Sequence, residues 1–197
     1  MKKTLTTIAI ALLTVSLALP ATGAFADETA TTQATTATVG IEGGTLTLDK
    51  ASDIDFGTGH KLSLLAQDYT AQNDIAAVVT DLTGSGAGWN LTVTQDGAFT
   101  NEKGATLAGA EISLPAGTVS SKSNGAAGAT NVARLAPNAA VDVVDNSAAL
   151  KNADEYTATI AGADTHLTIP AGAITNSGTY TTSLTWNVVA GPNDSAK

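Results

Sequence analysis

From Gly40 onward, apolar and polar residues alternate in short stretches separated by clusters of Gly, Pro, Asn and Asp. Residues 45–48 alternate cleanly, as do 89–94 and 111–114, the last closed by Pro115. Residues 156–160 and 165–169 follow, the second closed by Pro170, and 180–188 is the last and longest such run. Successive side chains of a strand point to opposite faces, so a period of two with one apolar set predicts strands with one buried and one wet face. Threonine fills most of the wet positions, and a β-branched polar residue suits the solvated side of an antiparallel sheet. Recurrent short strands with turn signals between them predict an all-β protein: a single-domain antiparallel β-sandwich or barrel-like fold with long loops.

Two stretches break the pattern. In residues 61–82, Leu62, Leu64 and Leu65, then the run Ile75, Ala76, Ala77, Val78 and Val79, leave a partly helical reading open beside a strand. Residues 116–140 are rich in Ala, Gly, Ser and Asn with few apolar anchors, and are expected to form a long loop, either mobile or functional.

The N-terminal stretch reads as export machinery. Lys2 and Lys3 precede the apolar run 8–19, Pro20 breaks it, and Ala24 and Ala26 place small residues where a signal peptidase reads. A signal peptide over 1–26 is therefore expected, since the apolar run is too short to cross a bilayer comfortably. Residues 27–39 are low in complexity and bury too little to offset their ordering entropy, which predicts a flexible leader. The β domain is expected over 40–192, with a tail at 193–197. That tail carries neither a hydrophobic helix nor a sortase-type signal, so any retention on the cell is expected to be non-covalent.

Charge and composition narrow the function. The net charge is −9, and removing residues 1–26, which hold two lysines and no acids, takes it to −11. That acidity argues against nucleic acid and anionic lipid, which need clustered Lys and Arg. There is no cysteine, so disulfides and thiolate metal sites are excluded.

Catalytic signals are missing. Glu42, Glu102, Glu111 and Glu155 are scattered, with no pairing of the kind a glycosidase needs. Residues 84–88, rich in glycine, lead into a strand and carry no lysine, which predicts a turn in place of a phosphate loop or nucleophile elbow. His60 and His166 lack partners at ligand spacing, and Asp53 and Asp55 lack the other ligands of a calcium loop. No enzyme, cofactor or metal site is expected.

The strongest lead is a pair of tryptophans, the only two in the chain, in matching contexts: Trp89 with Leu91 two positions on, and Trp186 with Val188. In a strand each indole shares a face with its aliphatic partner, while Asn90 and Asn187 point the other way. One reading makes both indoles core anchors. The other leaves one or both partly exposed as a face on which a sugar ring stacks.

These residues carry a family resemblance. The ordered segments 44–48, 54–57 and 86–93, and the ending 180–188 with Pro192 just beyond, resemble the WxL domain of Gram-positive surface proteins from about Gly40 to Pro192. The resemblance implies a secreted protein at the cell wall, held non-covalently, with peptidoglycan or another wall polymer as ligand. It also implies a membrane-anchored WxL-interacting protein and other surface proteins as partners, so the alternative role is a structural or adhesive subunit of a surface complex. Carried over, the motif residues are Trp89/Leu91 and Trp186/Val188. Val188 stands where the family usually has Leu, a loss of one methylene worth about 0.8 kcal/mol if buried.

Overall fold

A computed structural model describes residues 32–145 and 150–191. The expected signal peptide, the first part of the leader and the expected tail lie outside the described residues. Residues 32–39 are exposed and form no regular structure.

From Gly40 on, the described residues form fourteen strands and one turn of 3-10 helix, Gly162–Asp164. One sheet has the order β1 (Leu46–Ala51), β3 (Ile75–Asp81), β11 (Asp154–Ile160), β7 (Thr118–Ser121) and β8 (Gly125–Ala129). A second runs β2 (Gln67–Thr70), β12 (His166–Ile169), β6 (Glu111–Leu114) and β9 (Ala133–Leu135). A third places β4 (Trp89–Gln95) between β10 (Ala140–Val144) and β14 (Leu184–Ala190), and β5 (Thr100–Asn101) pairs with β13 (Tyr180–Thr181). All strand pairs are antiparallel and no barrel closes. The all-β expectation holds.

The three larger sheets turn their apolar positions toward one core. In β3 and β11 the inward residues meet in direct register, Ile75 with Ile160, Ala77 with Ala158 and Val79 with Tyr156. Leu91 and Val93 from β4, Ile112 and Leu114 from β6, and Leu167 and Ile169 from β12 join the same cluster. Thr157 and Thr159 take the outer positions of β11, as the alternation requires.

Both ambiguous stretches resolve as strands. Residues 61–82 hold no helix: they give an irregular segment, β2 and β3. Strand β3 lies between β1 and β11, and its outer face is itself half-buried, which is why Ala76 and Val78 blur its alternation. Residues 116–140 are not a long loop either; they build β7, which lies between β11 and β8, and the edge strands β8 and β9. Their inward residues include Val119, Ala127, Ala133 and Leu135, mostly small, so the apolar signal was weak.

The buried Asp154 is satisfied by its neighbours. The Asp154 carboxylate accepts from the Ser121 hydroxyl, from Ser123 N at 3.1 Å and Ser123 Oγ at 3.2 Å, and from Glu155 N at 2.8 Å. The Ser121 bond, helped by the backbone donors, holds its pKa below the ordinary carboxylate value despite burial. Burial, with the Asp154 charge behind it, pushes the Tyr156 phenol up, and its hydroxyl donates to Asn152 O at 2.8 Å.

Candidate functional site

The glycine-rich segment 84–88 is a turn, as its sequence predicts. Gly84, Gly86 and Gly88 have φ of +61°, +67° and +75°, a backbone that side chains with a Cβ rarely adopt. It delivers the chain into β4, whose hydrogen-bonded neighbour β14 carries the second tryptophan.

The register between these strands fixes the geometry of the motif pair. Leu91 stands directly opposite Val188, so the two aliphatic positions meet at the centre. Trp186 stands opposite Val93, and Trp89 opposite Ala190. All of these share one face, because a side chain alternates with period two. Beyond β14, Gly191 N donates to Gly88 O at 2.8 Å, and the buried Asn90 amide donates to Gly191 O. The opposite face of the pair is mainly polar: Thr185 and Asn187 are exposed, and Thr185 Oγ1 donates to Asp96 Oδ2 at 2.7 Å.

The two indoles occupy different environments. Trp89 is 0 % exposed and meets Tyr156 edge-on, with ring centroids 5.6 Å apart at 61°. Its Nε1 finds no acceptor among the described residues. Leu91 is equally buried. Trp186 and Val188 are half-buried on the edge strand, packed against the core from outside. Of the two readings open from sequence, Trp89 is a core anchor and Trp186 keeps one side accessible.

Trp186 opens onto a groove that residue patterning did not reveal. It lines a hollow of about 490 Å³ with Ile54, Phe56, Phe99 and Leu184. A second hollow, about 400 Å³, shares Ile54, Phe56, Phe99 and Thr182 with the first, and continues past Tyr69 and His60 to Tyr180 and Asn176. Five of the seven aromatic side chains among the described residues therefore line these two adjoining hollows, which together form a groove beside Trp186; the other two are the Trp89–Tyr156 pair. In a chain only 4 % aromatic, that concentration marks the groove as the candidate site.

Both walls are braced. On one side His60 stacks on Tyr69 with centroids 3.9 Å apart at 27°, and its Nε2 lies 2.9 Å from Phe56 O. Asp55 Oδ1 accepts from Gly57 N at 2.8 Å, and Asn73 Nδ2 donates to Asp53 O at 3.0 Å. The two aspartates thus belong to this turn. On the other side Tyr180 donates its hydroxyl to Asn176 O at 2.8 Å, and Thr182 Oγ1 donates to Gly97 O at 2.8 Å. His166 stays apart, half-buried on β12 with Nδ1 2.6 Å from Asp68 Oδ1. Among the described residues, no three His, Asp or Glu side chains gather as a metal ion would require.

An all-β domain organised around two paired tryptophan strands, with an aromatic groove beside them, has the make-up of a binding module. Residues 23–192 match the family model described as the WxL domain, surface cell wall-binding. The chain belongs to the WxL domain family, whose members are cell wall-binding surface domains. No curated protein and no solved structure matches it. No helix among the described residues is long and apolar enough to cross a membrane.

Proposed function

We propose that this protein, exported with a cleaved signal at residues 1–26 and a flexible leader at 27–39, is kept at the Gram-positive cell wall by non-covalent binding of peptidoglycan through the domain at 40–192. The observation that carries this reading is the unequal exposure of the paired motif in a wall-binding family: Trp89 and Leu91 close the core, while Trp186 and Val188 lie half-open at its surface. A half-open indole on a braced strand supplies a flat, rigid apolar face at little entropic cost, which suits adhesion to a sugar polymer. The test is sedimentation of the purified protein with walls stripped of accessory polymers. Retention in the pellet is expected, and a protein left wholly in the supernatant overturns the proposal.

One observation favours a second role as a subunit of a surface complex. Leu62, Leu64 and Leu65 are 55 %, 74 % and 74 % exposed on one segment, an apolar cluster of the kind that marks protein contacts. Serine substitutions at Leu64 and Leu65 are expected to release a partner chain from native extracts without changing wall sedimentation; an unchanged complex removes this role.

A further inference from the structure

We propose that the groove running from Trp186 past Phe56 to Tyr69 and Tyr180 is the ligand site, and that its occupant is a glycan strand lying along it with consecutive sugar rings on successive aromatic faces. This rests on the wall-binding reading and adds to it where and what the protein binds. The two hollows, about 400 and 490 Å³, each fall within the usual size of a small-ligand site. They adjoin, with Ile54, Phe56, Phe99 and Thr182 in both linings, and two neighbouring hollows suit a ligand of repeated units better than one compact molecule.

The lining selects the chemistry. Half-buried rings of Phe56, Tyr69, Tyr180 and Trp186 present apolar faces for the C–H sides of pyranose rings. Around them stand hydroxyl and amide groups, Thr58, Asn176, Ser177, Thr179 and Ser52, able to bond sugar hydroxyls or acetamido groups. The charged lining residues are Asp53, Asp55 and Lys61. One lysine beside two aspartates does not attract a polyanion, so a phosphate-rich wall polymer fits poorly. A lipid tail or an apolar helix would want an unbroken hydrophobic rim, which these polar groups interrupt. Beside the rim, the buried Asn101 Nδ2 lacks an acceptor among the described residues and lies next to Gly178. The stack of His60 on Tyr69 and the hydrogen-bonded turn 53–57 hold one wall in place before any ligand arrives.

The experiment titrates the protein with tetra-N-acetylchitotetraose as a soluble probe, reading tryptophan emission, and repeats sacculus sedimentation with variants. Thr58→Trp blocks the groove from an exposed position, and Tyr69→Ala removes one stacking face. The probe is expected to shift the emission of Trp186, and Trp186→Phe to abolish that shift, because Trp89 is sealed in the core. Each groove variant, at unchanged melting temperature, is expected to bind probe and sacculi about tenfold more weakly, the loss of roughly one stacked ring. Sacculus binding by Thr58→Trp and Tyr69→Ala equal to that of the parent places the site elsewhere while leaving wall retention intact. Sacculus binding competed by free stem peptide and untouched by the oligosaccharide overturns the glycan occupant. A parent protein that binds neither sacculi nor probe removes this inference together with the wall-binding reading.

Discussion

Replacing the two motif tryptophans by alanine, one at a time, is expected to give two different proteins. Trp89 is fully enclosed and touches Tyr156. A buried aromatic of this class hides roughly 200 Å², worth about 5 kcal/mol at about 25 cal/mol per Å². Substitutions of this kind cost about 3–5 kcal/mol once partial collapse of the cavity is allowed. Against a total stability of about 5–15 kcal/mol that is a large share. For a domain of this length it corresponds to a melting point lower by roughly 6–20 °C. Trp186 is half-buried on an edge strand, so its truncation removes less area and opens no sealed cavity. About 1–2 kcal/mol is expected, or a fall of roughly 2–8 °C. Far-UV circular dichroism melts and urea titrations of the purified protein, read at a backbone wavelength because the indoles themselves are removed, decide the matter. Equal destabilisation by the two substitutions, or a larger loss from Trp186→Ala, would falsify the assignment of Trp89 to the core and Trp186 to the groove.

Val188→Leu restores a methylene opposite Leu91 and is expected to raise stability by up to about 0.8 kcal/mol, measured by urea titration; a loss beyond 1 kcal/mol would mean the half-buried site has no room. Wall retention is expected to tighten as pH falls from 8 toward the sequence pI near 4.4, and with moderate salt, because both reduce repulsion between an acidic protein and an anionic envelope; stronger release at pH 5 than at pH 8 contradicts this. The Asp154 and Asp49 carboxylates are held below their ordinary pKa by hydroxyl donors, Ser121 for the first and Thr80 then Thr47 for the second. Their contribution to stability is therefore fully present above the ordinary carboxylate pKa and lost as pH falls through the lowered values, so melting temperatures of the parent and Asp154→Asn are expected to converge only in strong acid. Gly162→Ala places a methyl against the Asn73 carbonyl oxygen, a backbone atom that cannot swing aside, and is expected to cost about 1–3 kcal/mol by thermal melting; an unchanged melting point would show that the segment yields freely.

Strands whose two faces see different surroundings were readable from residue order alone. In β4, β11 and β14 threonine and asparagine alternate with large apolar residues, and the structure puts the apolar set inside. Where the outer positions are themselves apolar, as Ala76 and Val78 are in β3, or where the inward residues are few and include alanine, as Ala127 in β8 and Ala133 beside Leu135 in β9, the period faded and the segments passed for helix or loop. Each motif was legible as a Trp-x-aliphatic pair on one face of a strand, but which of the two indoles is enclosed and which stays accessible was not. The groove was less legible still. Its walls come from residues 54–62 and 174–186 and its floor from Phe99, Leu107, Leu167 and Ile169, segments joined only by the strand order. The one hint in the sequence was aromatic scarcity, since rings so few that gather along one surface are not spread by chance packing.

The unequal fate of two near-identical motifs follows from their place in a sheet and from nothing local. Strand β4 is flanked on both sides, by β10 and β14, so an indole on its inward face is walled in laterally as well as from below. Strand β14 is an edge of that sheet, so the same indole on the same face keeps an open flank, and the groove begins there. The contact of Leu91 with Val188 ties the two environments together: a disturbed Trp89 shifts β4, and β14 follows through seven paired positions from Leu184 to Ala190. Loss of wall binding after a Trp89 substitution would therefore arise through the fold, along with a lowered melting point. Loss after a Trp186 substitution at near-parental stability has no such route, and would have to arise where the indole meets its ligand.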